Sequence, residues 1–284
     1  MAHSFPDHLR RIRVRDVALA VFALVVVLAA VTVVLGSRGS SDAAPAPASA
    51  PPTDAAGSQQ SMLFFGDTYT AGPSQLPNRS YACLAATRLG YLCNVESDVN
   101  LAYVAGTITQ PATATQGVGP TIDVPTVDSR IDRAQVLYRA DVVVLDAGRN
   151  DLSRSSTALS AAFLTTVEHA RRAWPTARLV VIAPWSIDNL EPNVATAAGR
   201  PVPVDTLMQD ALDSSTALAG VTLVDPGALG WLRGQNIEQL RAADNLLVPN
   251  EQGHALVADA LVSALTQPAT RPDTTDTADD ESDN

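Results

Sequence analysis

From residue 61 onward, short apolar runs alternate with segments of helical spacing. The run MLFF at 62–65 ends in Gly66-Asp67 and predicts a buried strand. YACLAATRL at 81–89 has helical spacing, and YLCNV after Gly90 reads as a strand. DSRIDRAQVLYRA predicts a helix capped by Asp128 or Ser129, with Ile131, Val136 and Leu137 as its apolar positions. VVVL at 142–145 is a second buried strand. A long amphipathic helix follows at 155–174 and stops at Pro175. LVVI at 179–182 is a third buried strand, 203–220 a further helix, and VTLV at 221–224 a further strand. The closing helix begins after Asn250, a plausible cap. No internal repeat is visible. Buried strands alternating with helices predict an α/β fold with a parallel sheet covered on both faces. Ligands in such sheets bind beyond the carboxyl ends of the strands. Thr68 and the GRND loop at 148–151 both fall there.

The flanks are different. Arg10, Arg11, Arg13 and Arg15 precede an uncharged stretch at 17–36. About 20 apolar residues span a bilayer as a helix. A cleaved signal has an apolar core of roughly 7–15 residues, so an uncleaved anchor is favoured. The preceding arginines put residues 1–16 in the cytoplasm and the rest of the chain outside. A long signal peptide cut near APAPASA (44–50) is the alternative, and it also places the domain beyond the membrane. Residues 37–60 are Pro/Ala-rich and read as a disordered linker. Residues 61–266 form the domain, and 267–284 an acidic disordered tail. Net charge is −11, which argues against a nucleic-acid partner. In an oxidising compartment Cys83 and Cys93 read as a disulfide, with two buried thiols as the alternative. Two cysteines without neighbouring histidines fall short of a metal site, and no cofactor is implied.

Four short segments, in order, carry a resemblance. They are Gly66-Asp67-Thr68, Gly106 in NLAYVAGTI, Gly148-Arg149-Asn150-Asp151, and ADNLLVPNEQGHALVADAL before and within the last helix. The domain resembles the SGNH (GDSL) hydrolase family over about 200 residues. The resemblance implies a flavodoxin-like three-layer sandwich with a parallel sheet; the apolar stretch at 17–36, read on its own, precedes it as one transmembrane helix. It also implies carboxylester chemistry. A first-block serine attacks, and a last-block histidine, oriented by an aspartate three residues earlier, takes its proton. The first-block N–H, the loop glycine N–H and the third-block asparagine hold the oxyanion. Those positions are Thr68, Gly106 and Asn150 in this chain.

The triad positions depart from that pattern. Thr68 stands at the nucleophile position, Asn245 at the aspartate position and Val248 at the histidine position. Valine accepts no proton, and asparagine carries no charge to stabilise an imidazolium. Threonine keeps a hydroxyl, but its methyl group crowds attack and stiffens χ1. Without a base such a hydroxyl is a poor nucleophile. Four histidines are available. His3 and His8 precede the membrane span, His169 lies mid-helix, and His254 on the final helix is the one serious substitute base. A structural role weighs more for it.

Asp67 and Asp151 are expected to tie loops together through backbone hydrogen bonds. Arg149 bridges loops or meets an anionic group. The long aperiodic stretch at 184–205 reads as the rim of the site. Trp185 on it, with Tyr69, Arg149 and Tyr103 nearby, is a candidate ligand surface, packing onto the sheet being the alternative; Trp231 is placed similarly. The expected function is therefore a membrane-anchored, extracytoplasmic SGNH-like domain, catalytically inactive or impaired. It would bind an envelope glycan or lipid, or scaffold a protein partner. The alternative is an active esterase or acyltransferase on acylated glycans or lipids, with Thr68 as nucleophile and His254 as base. A third reading is a structural domain with an occluded pocket.

Overall fold

The computed structural model describes residues 59–109, 121–245 and 247–267. The expected anchor at 17–36 and nearly all of the linker and acidic tail lie outside the described residues. Among the described residues no helix is long and apolar enough to cross a membrane.

Five strands make one parallel sheet. They are β1 (Ser61–Gly66), β2 (Leu92–Ser97), β5 (Val142–Asp146), β6 (Arg178–Ile182) and β9 (Thr222–Val224), in the spatial order β2-β1-β5-β6-β9. Counting sheet strands alone, that order is 2-1-3-4-5, a doubly wound arrangement of the flavodoxin-like kind. Two short antiparallel ribbons stand apart: β3 (Gly106–Thr109) with β4 (Thr121–Val124), and β7 (Asn193–Ala195) with β8 (Pro201–Pro203).

Side chains of β1 alternate between two cores, as the two-residue strand period requires. Leu63 and Phe65 join one cluster with Val143, Leu145 and Val181. That face is covered by α3 (Val127–Leu137), α4 (Ser156–Ala173) and α5 (Val204–Asp213), through Ile131, Phe163 and Met208. Met62 and Phe64 join the other cluster with Val144 and Ile182. There α2 (Tyr81–Arg88) and α7 (Glu251–Thr266) close the face, through Ala82, Ala85, Val257 and Leu261. Helices on both faces of the sheet make three layers. Each fully buried large apolar side chain stabilises by about 1.5–3 kcal/mol.

Two helix expectations need correction. The cap of α3 is Thr126, whose hydroxyl accepts from Ser129 N at 3.2 Å; neither Asp128 nor Ser129 caps it. Its buried stripe is Val127, Ile131 and Ala134, at i, i+4 and i+7. Val136 and Leu137 fall off that stripe and are 82% and 56% exposed. By contrast, α7 is capped by Asn250, whose Oδ1 accepts from Gly253 N at 3.0 Å. Cys83 and Cys93 are joined in a disulfide that ties α2 to β2, the edge strand of the sheet. The stretch at 184–205 is not structureless, since it folds back as the β7–β8 ribbon and bridges Ser155 through Ala195.

Two glycines bring the loops of the site together. At Gly66 a Cβ would lie 1.9 Å from Thr70 Oγ1 and 2.9 Å from the Asp146 carbonyl. Gly148 has φ 106°, and a Cβ there would meet Pro184 at 2.6 Å. A side chain at either position would push apart the loops after β1, β5 and β6.

Candidate active-site cavity

A cavity of about 340 Å³ opens at the carboxyl ends of β1, β5 and β6. Its far wall is the loop that precedes α7. Thr68, Asn150, Asn245 and Val248, four positions singled out in sequence, all line it. Thr68 opens a single helical turn, α1 (Thr68–Ala71), capped by Asp67, which accepts from Tyr69 N at 3.0 Å. The Thr68 hydroxyl donates to the Val99 carbonyl at 3.3 Å. Asn150 sits on the turn after β5 and donates through Nδ2 to Leu101 O at 2.9 Å. Asn245 accepts from Leu247 N at 3.1 Å and is exposed.

Two candidates fall elsewhere. Gly106 does not line the cavity. It opens β3, pairs with Val124, and faces the Arg154 guanidinium. The loop residue that meets Thr68 is Val99, seven positions earlier. His254 does not line the cavity either. It is 1% exposed on the first turn of α7. Its Nδ1 accepts from Tyr81 N at 3.2 Å, and the two rings stack with centroids 6.2 Å apart. Burial pulls its pKa down to about 4. A ring held as an acceptor by a backbone N–H is neutral at Nδ1. It caps the start of α2. His169 faces Asp128 and Asp132, at 2.8 and 3.1 Å, on the far side of the sheet's other face.

Beneath Thr68 lies a buried charged cluster. Arg149 donates from Nε to Asp67 Oδ2 at 2.7 Å and from Nη2 to Asp67 Oδ1 at 2.8 Å. It also donates from Nη1 to Asp146 Oδ1 at 2.9 Å and from Nη2 to Asp146 Oδ2 at 2.9 Å. Tyr81 OH and Thr70 Oγ1 add donors to Asp146 Oδ2, Thr70 at 2.7 Å. Burial disfavours charge on Arg149, but the two carboxylates outweigh it and hold the guanidinium protonated. Burial likewise pushes Asp67 up, and Arg149 pulls it part of the way back. Arg149 thus bridges loops, and every nitrogen of its guanidinium is engaged. Asp151 ties loops as expected, accepting from Tyr103 N at 2.7 Å and Val104 N at 3.0 Å.

Tyr69 and Trp185 form a buried floor, packed inward as the alternative reading of that stretch has it. Tyr69 is 5% exposed and Trp185 0%. They meet edge to face at 4.9 Å, and Trp231 backs Trp185 at 5.5 Å. The Tyr69 hydroxyl donates to Leu247 O at 2.6 Å and accepts from Ile187 N at 3.1 Å, so it joins two walls. Tyr103 takes no part, packing on Phe163 in the other core at 5.3 Å. Among the described residues no group of three or more His, Cys, Asp and Glu is placed to hold a metal.

Sequence reasoning missed Asp146, Val99, Asp188 and Asn189. Asp146 left one signal, a carboxylate ending an otherwise apolar strand three residues before Arg149. Asp188 pairs with Arg241 across the cavity mouth, Nη1 to Oδ2 at 3.0 Å. That contact joins residues 53 positions apart, and no local pattern announces it.

The family model for GDSL-like lipases and acylhydrolases matches residues 64–256. The chain belongs to this family. No curated protein matches it in sequence. Among solved structures it is similar to an active-site mutant of a family two carbohydrate esterase from Clostridium thermocellum, with 15% identity and TM-score 0.47. That likeness covers 72% of this chain and 63% of the esterase, so the chain spans less than two thirds of that protein. A family 2 carbohydrate esterase from Corynascus thermopiles gives 17% identity, 77% and 67% coverage, and TM-score 0.48. A carbohydrate acetylesterase family member from Sinorhizobium meliloti gives 14% identity, 73% and 97% coverage, and TM-score 0.48. The family places the SGNH-type esterase fold; identities this low say nothing about substrate.

Proposed function

We propose that this family member binds a ligand in its cavity and does not hydrolyse esters. It would do so outside the cell, held to the membrane by residues 17–36, in a binding or scaffolding role in the envelope. The observation that carries the reading is the wall opposite Thr68. Asn245, Leu247 and Val248 occupy it, and no histidine lines the cavity among the described residues. Ester cleavage needs a base within about 2.6–3.2 Å of the nucleophile's proton. The Thr68 proton instead goes to a backbone carbonyl. The competing reading makes Thr68 the nucleophile and His254 the base. The Tyr81 N–H bond to His254 Nδ1 and the ring's absence from the cavity count against it. The anchor rests on the arginine-flanked apolar stretch alone.

Restoring the missing groups tests the reading. The full-length chain carrying Thr68→Ser, Asn245→Asp and Val248→His should gain acetyl-ester turnover over an inert wild type. Wild-type turnover above background, equal to or exceeding that of the triple variant, would refute it.

A further inference from the structure

Three charged residues line the cavity among those described: Asp67, Arg149 and Asp188. All are paired within the protein. Arg149 holds Asp67 and Asp146, and Asp188 holds Arg241. The five groups together carry one excess negative charge, on a chain of net charge −11. No cation is left to receive an anionic ligand, and the surrounding field opposes one.

Two carboxamides at the cavity mouth add neutral hydrogen-bonding capacity to that of Thr68, Asn150 and Ser186. Asn189 Oδ1 accepts from Glu191 N at 3.0 Å, and Asn245 Oδ1 from Leu247 N at 3.1 Å. Those backbone donors fix which way each amide points. Neither Nδ2 has a protein partner among the described residues. Both residues line the cavity, one on each wall of its mouth. Asn189 neighbours Asp188, and Asn245 lies four residues after Arg241. The Asp188–Arg241 ion pair therefore holds the two donors on facing loops. Tyr69 OH repeats the tie below it, bonding Leu247 O and Ile187 N. Beneath them the rings of Tyr69 and Trp185 are buried and pack against each other.

We infer that Asn189 and Asn245 are the specificity-determining pair of this cavity, and that its ligand is an uncharged, oxygen-rich glycan segment, uronic-acid sugars being rejected. The inference rests on the binding reading given above. Two neutral N–H donors on opposite walls meet hydroxyl or acetamido oxygens. A carboxylate in the same place meets no cation and lies close to Asp67 and Asp188.

The test is calorimetric titration of the full-length chain in lipid nanodiscs. The probes are neutral chitin and cellulose oligosaccharides and oligouronates of matched length. A neutral oligosaccharide should bind, and the oligouronates at least about tenfold more weakly, since an opposed and unpaired charge costs more than a neutral group. Asn189→Ala and Asn245→Ala should each weaken neutral binding by about three- to tenfold, the effect of one lost hydrogen bond. Each variant should lower the unfolding midpoint only slightly, the effect of one lost turn bond on an exposed loop. Equal affinity for oligouronates, an undiminished double variant, or no binding by any oligosaccharide would overturn the inference. Ester turnover is read separately. A chain that hydrolyses esters yet shows this selectivity would sink the non-hydrolytic reading and leave this inference standing. An inert chain that binds nothing on the panel would do the reverse.

Discussion

The cavity has two walls built on different principles. The wall under Thr68 comes from the loops after β1 and β5 and is built on a buried charged cluster. The wall facing it is the loop before α7, with Asn245 and Leu247 exposed and Val248 half-buried. The first wall is tied into the sheet through Asp146, on which Arg149, Tyr81 and Thr70 converge. The second is held by backbone turns, by the Tyr69 hydroxyl and by Arg241. The contrast separates folding from chemistry. Arg149, Asp67 and Asp146 of the first wall cannot change without leaving buried charge unpaired. Those of the second can, and they include Asn245 and Val248, where the family resemblance expects an aspartate and a histidine.

Substitutions on the two walls sharpen that contrast. Arg149→Leu leaves Asp67 and Asp146 buried and unpaired. It should destabilise by about 3–5 kcal/mol, read from urea unfolding midpoints. Val248→His, on the other wall, should change stability by less than about 1 kcal/mol. Comparable losses from both would break the distinction.

The disulfide comes next. It closes a loop of ten residues and holds α2, which carries Tyr81 under the first wall. Cys83→Ser with Cys93→Ser should cost about 2–3 kcal/mol in the same assay. Reductant should lower the wild-type melting temperature and leave the variant unchanged.

The histidine behind the second wall gives a pH signature. Its folded pKa, about 4, lies below the ordinary value of 6.5. The stability it contributes is therefore fully present above about pH 6.5 and is lost as pH falls through about 4. Between those values the wild type should lose about 2–3 kcal/mol more than His254→Gln. Parallel pH profiles would mean that His254 is not a buried neutral acceptor.

Ser74, away from both walls, gives the smallest effect. Its φ of 53° lies in the left-handed region, and it is exposed. Ser74→Gly should stabilise by about 0.5 kcal/mol, with ligand binding unaffected.

The sheet was legible in the sequence because buried parallel strands read as unbroken apolar runs. MLFF, VVVL and LVVI needed no partner to be recognised. The caps at Asn250 and Thr126 differ in this respect. Asn250 stands alone before its helix, whereas Thr126, Asp128 and Ser129 compete within four residues. Val136 and Leu137 misled because a stripe built on Ile131 excludes them, and that choice of stripe depends on what packs there. The site was half legible. Thr68 and Asn150 share a cavity because their motifs sit on strand ends, and the loop before α7 brings Asn245 and Val248 to face them. Gly106 was misplaced because the loop after β2 turns back at Val99. The pairings of Asp146 and Asp188 became visible only in three dimensions.

The central claim concerns the hydroxyl of Thr68. The most direct measurement exposes the full-length wild type and Thr68→Ala to a fluorophosphonate serine-hydrolase probe and to an acetyl ester. The account predicts no labelling and the same background turnover for both. Labelling or turnover in the wild type that Thr68→Ala abolishes would contradict it.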